Sequence, residues 1–136
     1  PSSAASDVYK RQLLAEDNEL NSEIATALLE EQGASITAVE NGRLALEAIR
    51  NAAPRTYDAI LMDVMMPEMN GLEATRCIRA FEGKGPGEGT PIIAMTANVF
   101  ADDVKACLDA GMNSHVGKPL DMKVLIGEIL KYTDAR

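Results

Sequence analysis

Five times along this 136-residue chain, a short apolar or β-branched run gives way to a longer stretch with helical periodicity. The runs are Leu13-Leu14-Ala15, then 35–39, 59–62, 91–95 and 114–117. Helical patterns follow at about 19–32, around Leu44, Ala45, Ala48 and Ile49, at 72–81, at 99–110, and from Asp121 through Leu125, Ile129 and Leu130. In the first helix Ile24, Leu28 and Glu31 form one stripe, with Ala25 and Leu29 beside it, and Gly33 ends it. Strands of four or five residues alternating with helices of ten or more predict a parallel sheet covered on both faces. The run Ala59-Ile60-Leu61-Met62 has no polar alternation, as expected of a strand buried on both sides. Right-handed crossovers leave few ways to order such strands. The fold class expected is α/β, a doubly wound five-stranded parallel sheet in the order 2-1-3-4-5 within a three-layer sandwich.

That topology gives the strand ends a common destination. In open α/β sheets, ligands bind in the crevice outside the carboxyl ends of the strands, where the strand order reverses. The first strand ends in Glu16-Asp17-Asn18, the third in Asp63, the fourth in Thr96 and the fifth in Lys118. Each has an ordinary explanation alone: helix-start acids, a strand-end cap, a solvated lysine. Together they bring three carboxylates, a hydroxyl and an ammonium to one edge. Three acids at a low-dielectric wall repel one another, and a divalent cation relieves this. Mg²⁺ takes oxygen ligands and is held by one or two carboxylates with phosphate oxygens. A carboxylate nucleophile, a hard cation and a lysine suit phosphoryl transfer, where positioning and charge neutralisation dominate.

Residues 13 to about 132 resemble the receiver domain of two-component response regulators, a flavodoxin-like fold. The motifs are Leu14-Ala15-Glu16-Asp17-Asn18, Met62-Asp63-Val64-Met65-Met66-Pro67, Met95-Thr96-Ala97 and Lys118-Pro119. The resemblance implies that Asp63 accepts a phosphoryl group from a phosphohistidine on a partner kinase. It implies that Asp17, Asp63 and the Met65 backbone carbonyl bind Mg²⁺, with Glu16 acting through water. Lys118 is implied to contact the phosphoryl group or Asp63, and Thr96 to swing toward it, repacking the face of the fourth helix, fifth strand and fifth helix. Val99, Phe100, Met122 and Val124 are candidates for that face. Met65 and Asn98 fall where the family tunes phosphoryl lifetime, and the Lys118-Pro119 bond is expected to be cis. One departure concerns the fifth strand, where many members carry Tyr or Phe as a switch residue and this chain carries His115. An imidazole can swing as well, but it is polar and titrates near neutrality.

The acid triplet and the glycine-rich stretch Glu82 to Gly89, read as a mobile surface loop, resemble receivers fused to hybrid sensor histidine kinases. The partners implied are a sensor histidine kinase or the chain's own upstream kinase core, with a histidine phosphotransfer protein as a further candidate. The expected location is the cytoplasm. A net charge of −8 argues against a nucleic-acid surface, and no apolar run approaches a membrane span. Cys77 and Cys107 lack metal-binding spacing and read as small apolar side chains. Ser2 to Gln12 resembles the in-frame translation of a transposon adapter used for sequencing libraries, so 1–12 is expected to be a non-native tail. A receiver over 13–132 and a short tail at 133–136 complete the organisation. The native chain is expected to continue upstream of Leu13, and the first strand to borrow residues such as Val8 and Tyr9 from the tail. Two rival functions use related sites. An aspartyl-phosphate phosphatase would carry a second aspartate where Met65 stands. An unphosphorylated pseudo-receiver would lack one of the acids or the lysine.

Overall fold

A computed structural model describes residues 11–97 and 100–133. Among these, strands β1 Arg11–Ala15, β2 Ser35–Val39, β3 Ala59–Asp63, β4 Ile92–Thr96 and β5 Ser114–Gly117 alternate with helices α1 Glu19–Glu31, α2 Gly42–Asn51, α3 Gly71–Glu82, α4 Ala101–Ala110 and α5 Met122–Thr133. Every paired neighbour runs parallel, in the order β2-β1-β3-β4-β5, which is the sheet expected from the sequence. Val8, Tyr9, Asn98 and Val99, for which roles were expected, lie outside the described residues.

Strand alternation divides the core in two. Leu13, Ala15, Ile60, Met62, Ile92 and Ala94 point to the face covered by α2, α3 and α4, against Leu46, Ile78 and Cys107. Leu14, Leu61, Ile93, Met95 and Val116 point to the other, against Leu29 of α1 and Leu125 and Ile129 of α5. All five residues of β3 and of β4 are buried, as befits strands covered on both sides.

Three details differ from expectation. In α1 the buried stripe is Ala25 and Leu29, while Ile24 and Leu28 stay partly exposed. A shift of one position rotates a helix face by about 100°, so periodicity alone left the two stripes hard to separate. Strand β1 begins at Arg11, inside the stretch expected to be a tail, and includes Gln12. Arg11 pairs with Ser35, and its guanidinium meets Asp58 at 2.9 Å. The stretch from Glu82 to Gly89 is exposed over 83–88 as expected, and hydrogen bonds not foreseen tie it to its surroundings. Glu82 accepts from the Thr90 N–H at 3.0 Å, and the Pro86 carbonyl accepts from Asn113 Nδ2 at 2.7 Å. The centre of that tether is Arg79, almost wholly buried. It donates to the Gly111 and Thr90 carbonyls and to Asn113 Oδ1, and pairs with Glu82 at 3.0 Å.

Candidate functional site

Parallel strands deliver their carboxyl ends to one edge, and an asparagine begins each of the first three helices there. Asn18, Asn41 and Asn70 accept from the N–H groups of Asn21, Leu44 and Glu73, each at 2.9 Å. Such caps satisfy helix-start donors that have no intrahelical partner and fix where each helix begins. Glu16 and Asp17 follow β1 directly, and Asp63 is the last residue of β3. Glu16, Asp17 and Asp63 each offer an oxygen within 4.8 Å of the others. These oxygens open on a crevice of about 350 Å³ that Thr96, Met65 and Lys118 also line.

Lys118 reaches this cluster from the far end of β5. Its Nζ lies 3.0 Å from Glu16 Oε1 and 3.3 Å from Asp63 Oδ1, and its backbone N–H donates to the Thr96 carbonyl at 2.8 Å. The Lys118-Pro119 bond is cis, as expected. Asp63 is only 6% exposed. Burial, and then the charge of Glu16, push its carboxyl up to about 6 against the pull of Lys118. Burial works the same way on Glu16, but the Asn18 N–H and the Lys118 ammonium outweigh it and hold that carboxyl below its usual value. Lys118 is desolvated too, yet Glu16 and Asp63 raise it above an ordinary lysine.

Against the single charge of Lys118, the three acids when ionised are two positive charges short. A divalent cation fits what is present: three carboxylate oxygens within reach of one another, one of them on an acid whose burial and whose neighbour Glu16 make it hold its proton. The site thus has a buried carboxylate, a neighbouring ammonium, an acidic pocket and an open approach.

Of the residues singled out from the sequence, Glu16, Asp17, Asp63, Met65, Thr96 and Lys118 all line the crevice. His115 is half-buried and set back from it, opposite Ala94 in β4. Asp103 and Cys107 of α4 also line the crevice and were not anticipated. Asp103 could have been found as an acid in the first turn of a helix that starts beside the site. Cys107, an apolar position by pattern, carried no such signal.

Residues 13–130 match the family described as the response regulator receiver domain. The sensor histidine kinase GacS of Pseudomonas protegens is 37% identical over 133 residues, covering 98% of this chain and 14% of that protein. Histidine kinase 1 of Arabidopsis thaliana is 35% identical over 155 residues, covering 90% of this chain and 13% of that protein. The chain thus spans about a seventh of the length of these relatives. Among solved structures, the receiver domain of sensor histidine kinase PA1611 from Pseudomonas aeruginosa, with magnesium coordinated in its active-site cleft, superposes with a TM-score of 0.78 at 36% identity, covering 92% of this chain and 98% of that one. A co-crystal of the Saccharomyces cerevisiae histidine phosphotransfer protein Ypd1 with the receiver domain of Ssk1 gives a TM-score of 0.81 at 26% identity, covering 92% and 90%. With this match spanning most of its length, the chain belongs to the response regulator receiver domain family.

Proposed function

We propose that this domain is a phosphoacceptor, with Asp63 taking a phosphoryl group from a partner's phosphohistidine. The observation that carries this is the Asp63 carboxylate, buried at the end of β3, with Lys118 Nζ at 3.3 Å and two further acids in the same crevice. An Asp63 oxygen forms the new P–O bond as the P–N bond to the donor imidazole breaks, and the bonding electron pair leaves with the imidazole nitrogen. Asp17, Asp63 and the Met65 backbone carbonyl would hold Mg²⁺, with Glu16 acting through water. When bound, the cation supplies charge neutralisation at the phosphoryl oxygens. Lys118 neutralises a further oxygen, and Thr96 offers its hydroxyl from the wall of the crevice. Phosphorylation then biases Thr96 and the face formed by α4, β5 and α5. Phe100 and Val124 already lie exposed there. His115 is the switch position on β5.

The donor proposed is a histidine kinase, including a kinase core in the same longer polypeptide, or a histidine phosphotransfer protein. The kinase names of the relatives and the yeast co-crystal support this class of partner. Among the described residues no helix is long and apolar enough to cross a membrane, and a cytoplasmic location is proposed from the kinase partnership. The domain is read as a signalling module without turnover on outside substrates. Incubation with a small phosphodonor and Mg²⁺, followed by intact-mass measurement, tests the assignment. One added phosphoryl group is expected, lost in Asp63→Asn and on chelation of the metal. Equal labelling of Asp63→Asn would overturn it.

A further inference from the structure

We propose that the start of α2, through Gly42 and the residues flanking it, positions the loop that presents the Met65 carbonyl to the cation. This rests on the receiver function proposed above. The loop leaves β3 at Val64 and closes at Gly71, whose N–H donates to the Val64 carbonyl at 2.9 Å. Within it, the Met65 side chain is 76% exposed. Its own side chain therefore does little to fix the Met65 backbone; Val64, Met66 and Met69 pack against the core, and hydrogen bonds from the start of α2 add a second hold.

Three consecutive residues of the α2 start grip two consecutive residues of the loop. The Gly42 N–H donates to the Met69 carbonyl at 2.9 Å. Asn41 Nδ2 and Arg43 Nε donate to Glu68 Oε2 at 3.2 and 3.3 Å. The approach at Gly42 leaves no room for a side chain. A Cβ there would sit 2.4 Å from the Met69 carbonyl oxygen and 2.9 Å from that of Asn70. The far end is equally tight, since a Cβ on Gly71 would meet the Asp63 carbonyl oxygen at 2.3 Å. Glu68 has a φ of 66°, a left-handed conformation that a residue with a Cβ adopts rarely. Its carboxylate stays near the positive end of α2, where two donors converge on it. The loop is thus clamped on both sides of Met65, by β3 and α3 at its ends and by α2 between them. Partners that orient a metal's ligands govern affinity without touching the ion. Gly42 and Glu68 are positioning residues in this sense.

The test is titration of the ¹⁵N-labelled chain with Mg²⁺, read by amide shifts near Asp17 and Asp63, with thermal unfolding of each variant in chelator alongside. The wild type should bind and Asp17→Asn should lose binding. Gly42→Ala is expected to raise the Mg²⁺ Kd about tenfold, and Glu68→Ala about threefold. Glu68→Gln keeps an oxygen for Asn41 and Arg43 and should stay within about twofold of the wild type. Equal weakening by Glu68→Ala and Glu68→Gln would mean a through-space charge effect and overturn the positioning role. So would an unchanged Kd in both Glu68→Ala and Gly42→Ala while Asp17→Asn abolishes binding, and in that case the receiver assignment stands. If Gly42→Ala does not fold, the Glu68 pair decides alone. Absence of Mg²⁺-dependent shifts in the wild type would remove the proposed phosphoacceptor function, and the positioning role with it.

Discussion

Replacing Asp63, the proposed phosphoacceptor, should make the free domain more stable. Asp63 is almost fully buried beside Glu16, and its carboxyl titrates at about 6 rather than 3.8. The folded state therefore binds this proton more tightly than the unfolded chain does. Stability is highest when both states are protonated, falls as pH rises through the interval from about 4 to about 6, and stays low above it. At 1.36 kcal/mol per pKa unit the loss amounts to about 3 kcal/mol. Asp63→Asn keeps the neutral shape at every pH and escapes this loss. In chelator at pH 8 it should be up to about 3 kcal/mol more stable, a rise in Tm of roughly 10 °C or less for a domain of this size. The gain should fade as pH drops toward 4. Excess Mg²⁺ should narrow it at pH 8, because a cation that binds only the folded wild type stabilises it by mass action. Paired thermal and urea unfolding at pH 8 and pH 4.5, with and without metal, measures all three effects. An asparagine variant no more stable than the wild type at pH 8, or a gain equal at both pH values, would refute the reasoning.

Lys118→Met leaves Glu16 and Asp63 buried together without their ammonium. It should cost about 3 kcal/mol at pH 8 and move the Asp63 carboxyl higher still in a ¹³C titration, with phosphoryl transfer lost. Arg79→Met removes the donor to two carbonyls and to Asn113 at the opposite end of the sheet. Urea unfolding should show a loss of about 3 kcal/mol, since buried acceptors are stranded, while Mg²⁺ affinity at the distant crevice stays near wild type. Gln12 puts an amide in β1 with no exposure, between Ile36 and Ala59. Gln12→Val should raise stability by about 1 kcal/mol, because a β-branched apolar side chain suits that position better than a buried amide. A loss of stability in this variant would show that the amide is structurally required.

The legible parts of this protein are those governed by local rules. Apolar runs bounded by turns marked β3 and β4 nearly to the residue, because a strand covered on both faces tolerates no polar alternation. Asp121 marked the start of α5, because a cap depends on backbone groups two or three residues away, and its carboxylate accepts from the Lys123 N–H at 2.9 Å. The site residues were readable for a related reason: a parallel sheet brings every strand's carboxyl end to the same edge, so position along a strand already implies a neighbourhood. Arg79 and Glu68 were invisible by the same logic. Their partners lie across other elements, 34 residues away for Asn113 and 27 for Asn41, and a lone charge on a helix or in a loop carries no mark of such a contact.

The order of residues alone determined the alternation of strand and helix, the parallel sheet, and the gathering of Glu16, Asp17, Asp63, Thr96 and Lys118 at one end of it. Packing decided which stripe of α1 was buried, how α2 grips the loop after β3, and how tightly Asp63 holds its proton. The first set follows from periodicity and chain direction, which are local. The second depends on distances and desolvation, and those exist only once separate segments close on one another and exclude water.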